Sequence, residues 1–352
     1  MFAGDSHSPP PVFAAGLDYT LAEALFAKLG APRYRAKQLF HWVYKRGLAS
    51  FDEMTDFPKT LRECLAGEIV LSSVTEVRRR EARDGTVKAL LSLHDGCTIE
   101  AALMPAARVG GYTVCVSAQV GCPIGCPFCA TGRQGFERNL LPAEIVDQVL
   151  YFKRYLGERG VITNIVFMGM GEPLANYDNL LKAVGVLNAP LGLGLGARNM
   201  TISTAGLVAG IKRLSRESLQ VGLAISLHAA NDVLRDKLVP LNRQYPLPSL
   251  LDAARQYVAL SGRRVSFEYC LFDGVNDSLF QARELAHFLG GLNAHVNLIA
   301  ANDVGALYRM PPREKTLAFE GELRKLGINV TLRRSYGREI EAACGQLKSA
   351  TQ

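Results

Sequence analysis

No stretch of this chain comes near the roughly eighteen consecutive apolar residues that a membrane-crossing helix needs, so a helical anchor is excluded. The start, with Ser8-Pro9-Pro10-Pro11, lacks the charged-then-apolar plan of a secretory signal; residues 1–16, rich in Pro, Ser and Ala, read as a disordered leader. A cytosolic protein is expected. No internal repeat is present, which excludes a repeat array. A reducing compartment also makes a disulfide framework a poor reading of the eight cysteines, and any local cluster of them points to metal or redox chemistry instead.

At 352 residues the chain can bury a large core, and one large domain with an appendage is expected. The net charge of +7 suits a polyanionic partner such as nucleic acid, and equally a basic protein that has none.

Four cysteines crowd into Cys115 to Cys129, and three of them, Cys122, Cys126 and Cys129, form a Cys-x-x-x-Cys-x-x-Cys triplet. The triplet follows an apolar, β-branched run and precedes a helical pattern near Pro142, which places it on a loop at a strand's carboxyl end, where α/β proteins do their chemistry. Three thiolates are one short of a structural zinc site, and they match a 4Fe-4S cluster whose fourth iron stays open. Cys115 as a fourth ligand keeps zinc as an alternative, and a cluster that only holds the fold is another. Cys64, Cys97 and Cys270 read as buried apolar residues.

Apolar spacing predicts helices from 17 to 75, with Leu21, Leu25 and Leu29 on one face, as an accessory domain. One helix is expected over Tyr34–Arg46, its aromatics serving either as core beneath a solvated basic face or as an RNA-contacting surface. Asp84-Gly85 and Asp95-Gly96 punctuate short strands, a β extension over 76–108. From 109 to 352, six or seven βα units alternate; nearly continuous apolar strands spaced by crossover helices predict a parallel sheet. Too few for a closed eight-unit barrel, they imply α/β architecture with a partial (β/α) barrel, open on one side.

Phe128 just before the last cysteine makes the triplet resemble the signature of the radical S-adenosylmethionine superfamily. Cys115-Val-Ser-Ala-Gln-Val-Gly-Cys122, Gly135-Phe-Glu-Arg-Asn-Leu140 and Ala342-Ala-Cys344-Gly-Gln-Leu347 resemble, more narrowly, the RNA adenine methyltransferases of that superfamily, and the likeness extends to Phe51-Asp-Glu-Met-Thr-Asp-Phe-Pro-Lys59. The resemblance implies a fold of the radical S-adenosylmethionine type. It makes Cys122, Cys126 and Cys129 ligands of a 4Fe-4S cluster, with S-adenosyl-L-methionine, two per turnover, as the second cofactor.

It further implies that Cys344 carries the methyl group as S-methylcysteine, that Cys115 releases the protein–RNA adduct through a transient disulfide with Cys344, and that Glu100 accepts the proton. Gly171 and Glu172, in Met168-Gly-Met-Gly-Glu-Pro, match the motif that binds the cofactor's amino group; Ser203, Ser226, Leu227, His228 and Asn302 match further cofactor contacts at strand ends. The implied substrates are an adenosine of 23S rRNA and, in one branch, tRNA, with an electron donor such as flavodoxin or ferredoxin and its reductase, and a monomer outside the membrane. Phe136–Leu140 matches the branch that methylates C2, whereas Met170–Asn176 and the Tyr336 region are partly like the C8 branch. C2 is the expected position and C8 the alternative.

Overall fold

The computed structural model describes residues 10–106, 108–302, 308–333 and 335–348. The amino-terminal part is helical: α1 (Tyr19–Lys28), α2 (Arg35–Phe40) and α3 (Lys59–Glu68). Asp18 starts α1 by accepting the Leu21 N–H at 2.7 Å, satisfying one of the helix's orphan donors. The expected single helix over 34–46 instead changes pitch. After Phe40 it continues as a π-helical turn, His41–Arg46, stopped by Gly47 at φ 73°. Phe40 and Tyr44 are buried and meet edge to face at 5.2 Å, so these two aromatics are core, whereas Tyr34 is exposed, Trp42 half-buried, and Lys37, Lys45 and Arg46 are exposed.

Part of the sequence-predicted leader is structured. Phe13, Ala14 and Ala15 are buried, the Ala14 N–H donates to the Val70 carbonyl at 2.9 Å, and the Tyr44 hydroxyl donates to the Ala15 carbonyl at 3.2 Å. Apolar Phe13 to Ala15 fill a gap that the helices leave, which composition around the prolines conceals. Residues 1–9 of the leader lie outside the described residues.

Ten strands build one sheet. β1 (Val74–Glu81), β2 (Val87–Leu93) and β3 (Thr98–Pro105) run antiparallel, and β3 pairs antiparallel with β4 (Gly111–Cys115). The β extension is therefore not a linker but a continuation of the main sheet. β1 went unrecognised in the sequence because Thr75-Glu-Val-Arg-Arg-Arg-Glu81 is exposed on both faces, as befits an edge strand blunted by charge. A two-stranded hairpin, β5 (Gln119–Gly121) and β6 (Phe136–Asn139), brackets the cysteine triplet and the short α4 (Ala130–Gln134).

From β4 onward all neighbours are parallel, in the order β4, β7 (Val161–Phe167), β8 (Met200–Thr204), β9 (Gly222–Ser226), β10 (Val265–Leu271), β11 (Ala294–Ala300) and β12 (Val330–Arg333). The crossovers are α5 (Pro142–Leu156), α6 (Tyr177–Asn188), α7 (Val208–Leu214), α8 (Asp232–Leu238) with α9 (Leu247–Ser261), α10 (Leu279–Phe288) and α11 (Arg313–Lys325). Ile165, Phe167, Ile202, Leu223, Phe267 and Leu298 are 0–1% exposed, the burial expected of parallel strands covered on both sides. The result is the α/β partial barrel, its sheet ending freely at β1 and β12. Among the described residues no helix is long and apolar enough to cross a membrane.

Candidate active site

The cysteine loop is tied at both ends. The Cys122 N–H donates to the Gly135 carbonyl at 2.7 Å and the Cys129 N–H to the Cys126 carbonyl at 3.1 Å. Gly132 in α4 packs so closely that a Cβ would lie 2.8 Å from the Cys126 carbonyl oxygen, so the helix can support the loop only without a side chain there. Phe128 points into an aromatic cluster with His228, Phe272 and Tyr308, its ring centre 5.0 Å, 5.1 Å and 6.1 Å from theirs.

All three thiols line one cavity of ≈ 210 Å³ at the carboxyl ends of the parallel strands. Among the described residues no three His, Cys, Asp or Glu side chains close on a single ion. Burial pushes the Cys122 thiol up to about 12 and the Cys126 thiol well above its ordinary range.

The remaining wall is made by strand ends. Gly171 has φ 99° and a Cβ on it would meet the Gln119 side chain at 2.5 Å; only glycine lets β7's end pass β5. Glu172 is buried, and its two carboxylate oxygens accept the Leu174 N–H at 3.1 Å and the Ala205 N–H at 2.7 Å. Burial pushes its carboxyl up to about 7, against those hydrogen bonds. Ser203, Ser226 and Asn302 also face the cavity, as does His228, in the left-handed conformation with φ 59°. Its Nδ1 accepts the Cys270 N–H at 3.0 Å, and burial holds the imidazole neutral, down to about 3.

Cys115 ends β4 and Cys344 arrives from the carboxyl-terminal segment, and both line this cavity. The segment is docked on the cysteine loop: the Ala130 N–H donates to the Gly345 carbonyl at 2.8 Å and the Thr131 hydroxyl to the Leu347 carbonyl at 2.6 Å. Cys344 is exposed, yet protein packed around the cavity pushes its thiol up to about 11, while Arg333 acts in the opposite sense. Burial, then the nearby Cys344, pushes Cys115 up to about 12. Both cysteines are free thiols.

Arg333 and its partner Glu268, 3.2 Å apart, also line the cavity and were not singled out in the sequence, where each reads as one charge in a strand. Cys64 is exposed rather than buried; Cys97 is half-buried, its thiol 2.9 Å from a Glu137 carboxylate oxygen, and Cys270 opens on the cavity.

Two expected site residues do not reach the cavity wall. Leu227 is fully buried, its N–H donating to the Glu268 carbonyl at 3.0 Å. Glu100 lies buried on β3, 3.0 Å from the Lys88 ammonium, and accepts the Lys348 N–H at 2.9 Å beneath the carboxyl-terminal segment. Lys88, itself buried, also reaches the Glu341 carbonyl at 3.2 Å. A lone lysine inside Val87-Lys-Ala-Leu-Leu-Ser-Leu93 was the available signal for a buried partner.

A partial barrel with three cysteines on the loop before its first crossover helix and a strand-end cavity beside them defines a radical S-adenosylmethionine enzyme. The Radical SAM superfamily model matches residues 116–286, and the ribosomal RNA large subunit methyltransferase N-terminal domain model matches residues 15–71. A probable dual-specificity RNA methyltransferase RlmN of Geobacillus kaustophilus is 45% identical over 98% of this chain and 94% of its own length. The protein of the same description from Symbiobacterium thermophilum is 46% identical over 100% of this chain and 94% of its own. The crystal structure of a radical SAM methyltransferase from Sphaerobacter thermophilus superimposes with a TM-score of 0.93 at 49% identity, covering 96% of this chain and 99% of that one. The chain belongs to the RlmN family of radical S-adenosylmethionine RNA methyltransferases, enzymes that require a 4Fe-4S cluster and two molecules of S-adenosylmethionine per turnover.

Proposed function

We propose that the protein methylates C2 of an adenosine in 23S rRNA, in the peptidyl-transferase region, and an adenosine of tRNA as well. The observation that carries this reading is the meeting of Cys115 and Cys344 with the cysteine triplet at one cavity. An aromatic amidine carbon is too poor a nucleophile to attack a sulfonium methyl, so a radical route that carries the methyl on the protein is required.

In this reading Cys122, Cys126 and Cys129 hold the cluster, Gly171 and Glu172 receive the cofactor's amino group, and Ser203, Ser226, His228 and Asn302 line its pocket. Leu227 contributes from behind that wall, through the backbone turn leading to His228. When bound, the cluster supplies the electron that splits S-adenosylmethionine and yields a carbon radical.

The Cys344 thiolate takes the methyl group of a first S-adenosylmethionine, forming S-methylcysteine. With the cofactor bound, the radical it supplies would take a hydrogen atom from that S-methyl group, whose carbon would then join the adenine ring and link Cys344 to the RNA. In this reading the carboxyl-terminal segment that covers Glu100 moves aside, Glu100 takes the proton from the attacked carbon, and the odd electron left on the adduct would pass back to the oxidised cluster, which restores aromaticity. The Cys115 thiolate attacks the Cys344 sulfur; the base-bound carbon leaves with the bonding pair and takes up a proton to become the methyl group, and an external thiol reductant must reopen the disulfide before the next turnover. Both cysteines line the same cavity, and Cys344 is near enough to help push the Cys115 thiol up.

The dual-specificity description of the relatives supports rRNA and tRNA as substrates and favours C2 over the C8 alternative. An electron donor of flavodoxin or ferredoxin type, a monomeric state and a cytoplasmic setting complete the reading. Nucleoside mass spectrometry of 23S rRNA and tRNA incubated with reconstituted enzyme tests it: 2-methyladenosine in both is expected, and 8-methyladenosine would overturn the assigned carbon.

A further inference from the structure

Arg235, on α8, is 0% exposed, and its guanidinium is the largest fully buried side chain among the described residues. Burying a guanidinium is costly unless its donors are met by strong acceptors. Here the acceptors are mostly main-chain carbonyls. Nε donates to Leu227 at 3.1 Å, and Nη2 to Ala205 at 2.6 Å and to Ser226 at 3.2 Å. Nη1 donates to the Asn242 side-chain oxygen at 2.8 Å, and the Asn242 amide passes the contact on to Asp232 at 2.8 Å and Asp236 at 2.7 Å. The guanidinium itself therefore bonds carbonyl oxygens, and the carboxylates stand one residue further out.

Those carbonyls belong to the ends of β8 and β9, the two strands that bring Ser203, Ser226 and His228 to the cavity. Ala205 is the pivotal one. Its carbonyl accepts from Arg235 while its N–H donates to a Glu172 carboxylate oxygen at 2.7 Å. Arg235 thus holds one of the two peptide planes that meet at the Ala205 Cα, and the other plane donates to Glu172. Gly206, next in the chain at φ 111°, comes so near that a Cβ there would lie 3.1 Å from Nη2.

We propose that Arg235 is a positioning residue for recognition of the cofactor's α-amino group: it anchors the chain at Ala205 through the carbonyl, and so places the Ala205 N–H that holds the Glu172 carboxylate. This rests on the reading of the cavity as the S-adenosylmethionine pocket. Loss of the fan of hydrogen bonds loosens the Ala205 N–H bond to Glu172 and leaves the carboxylate with its Leu174 and Thr204 contacts alone.

The test is equilibrium dialysis of anaerobically reconstituted enzyme with S-adenosylmethionine and with its analogue lacking the α-amino group. Wild type is expected to prefer S-adenosylmethionine at least tenfold, and Arg235→Lys, which keeps charge but not the planar fork, to narrow that preference below threefold at unchanged iron content. A purely structural role would weaken both ligands alike and leave the ratio where it was, which overturns the proposal. If Arg235→Lys does not fold, Asn242→Ala, which keeps the arginine and frees Nη1, decides in the same way: a narrowed ratio supports the proposal and an unchanged one overturns it. Wild type that binds neither ligand would instead overturn the cofactor-pocket reading.

Discussion

The side-chain amide of Asn302 donates to the Cys344 carbonyl at 3.2 Å, while its oxygen accepts from Arg338 Nε at 3.1 Å. A residue at the cavity wall thereby holds the Cys344 peptide. Asn302→Ala removes a bond worth about 1 kcal/mol, roughly a fivefold change in the docking equilibrium. Alkylation of Cys344 in the apoprotein should accelerate by about that factor, and its S-methylated fraction, read by intact mass, should fall. An unchanged alkylation rate would mean that the amide does not hold the segment.

Cys115 and Cys344 should give opposite results when each is removed. Cys115→Ala is expected to accumulate a covalent protein–RNA species on a denaturing gel, attached through Cys344, because the attacking thiol is gone. Cys344→Ala should form none. Cleavage-competent Cys115→Ala without any adduct would refute the release role.

Lys88 and Glu100 form a buried ion pair at 3.0 Å, each 5–6% exposed. Breaking such a pair by removing one partner costs about 3–5 kcal/mol, whereas replacing both leaves no uncompensated charge. Lys88→Met should therefore lower the denaturation midpoint more than Lys88→Met combined with Glu100→Gln. Chemical denaturation of the three proteins measures this; equal loss in single and double variants would deny the coupling.

Asp147 on α5 is buried, with its carboxyl pushed up to about 6 by burial despite hydrogen bonds from the Ser73 N–H and hydroxyl at 2.7 Å and 2.6 Å. Since this exceeds the unfolded value near 3.9, the group's contribution to stability is present in full below about pH 4 and is lost as pH rises through about 6. The loss is about 3 kcal/mol, and Asp147→Asn escapes it. Thermal melts from pH 4.5 to 7.5 should show the variant gaining on wild type as pH rises; a constant difference would contradict the shift.

Much of the barrel was legible because its information is local. Apolar runs such as Val265–Leu271 and the helical pattern of Leu247–Ser261 match the observed β10 and α9, since period and burial are set by neighbours in the chain. β1 and α8 were not legible: one is polar on both faces, and the other is a seven-residue helix whose chief buried side chain is an arginine.

By itself the sequence determined the cysteine triplet, the glycines of Met168–Gly171 and the order of strands and crossovers, because these depend on residue type at fixed short spacing. Only the tertiary structure decided that β1 to β3 extend the barrel sheet, that Lys88 pairs with Glu100, and that Arg235 reaches Ala205, Ser226 and Leu227 together. It also decided that Asn302 holds Cys344. The reason is common to all four: each joins backbone or charge across a gap that hydrophobic burial closes elsewhere, and burial is non-directional, so no local pattern records which polar groups it will leave facing one another.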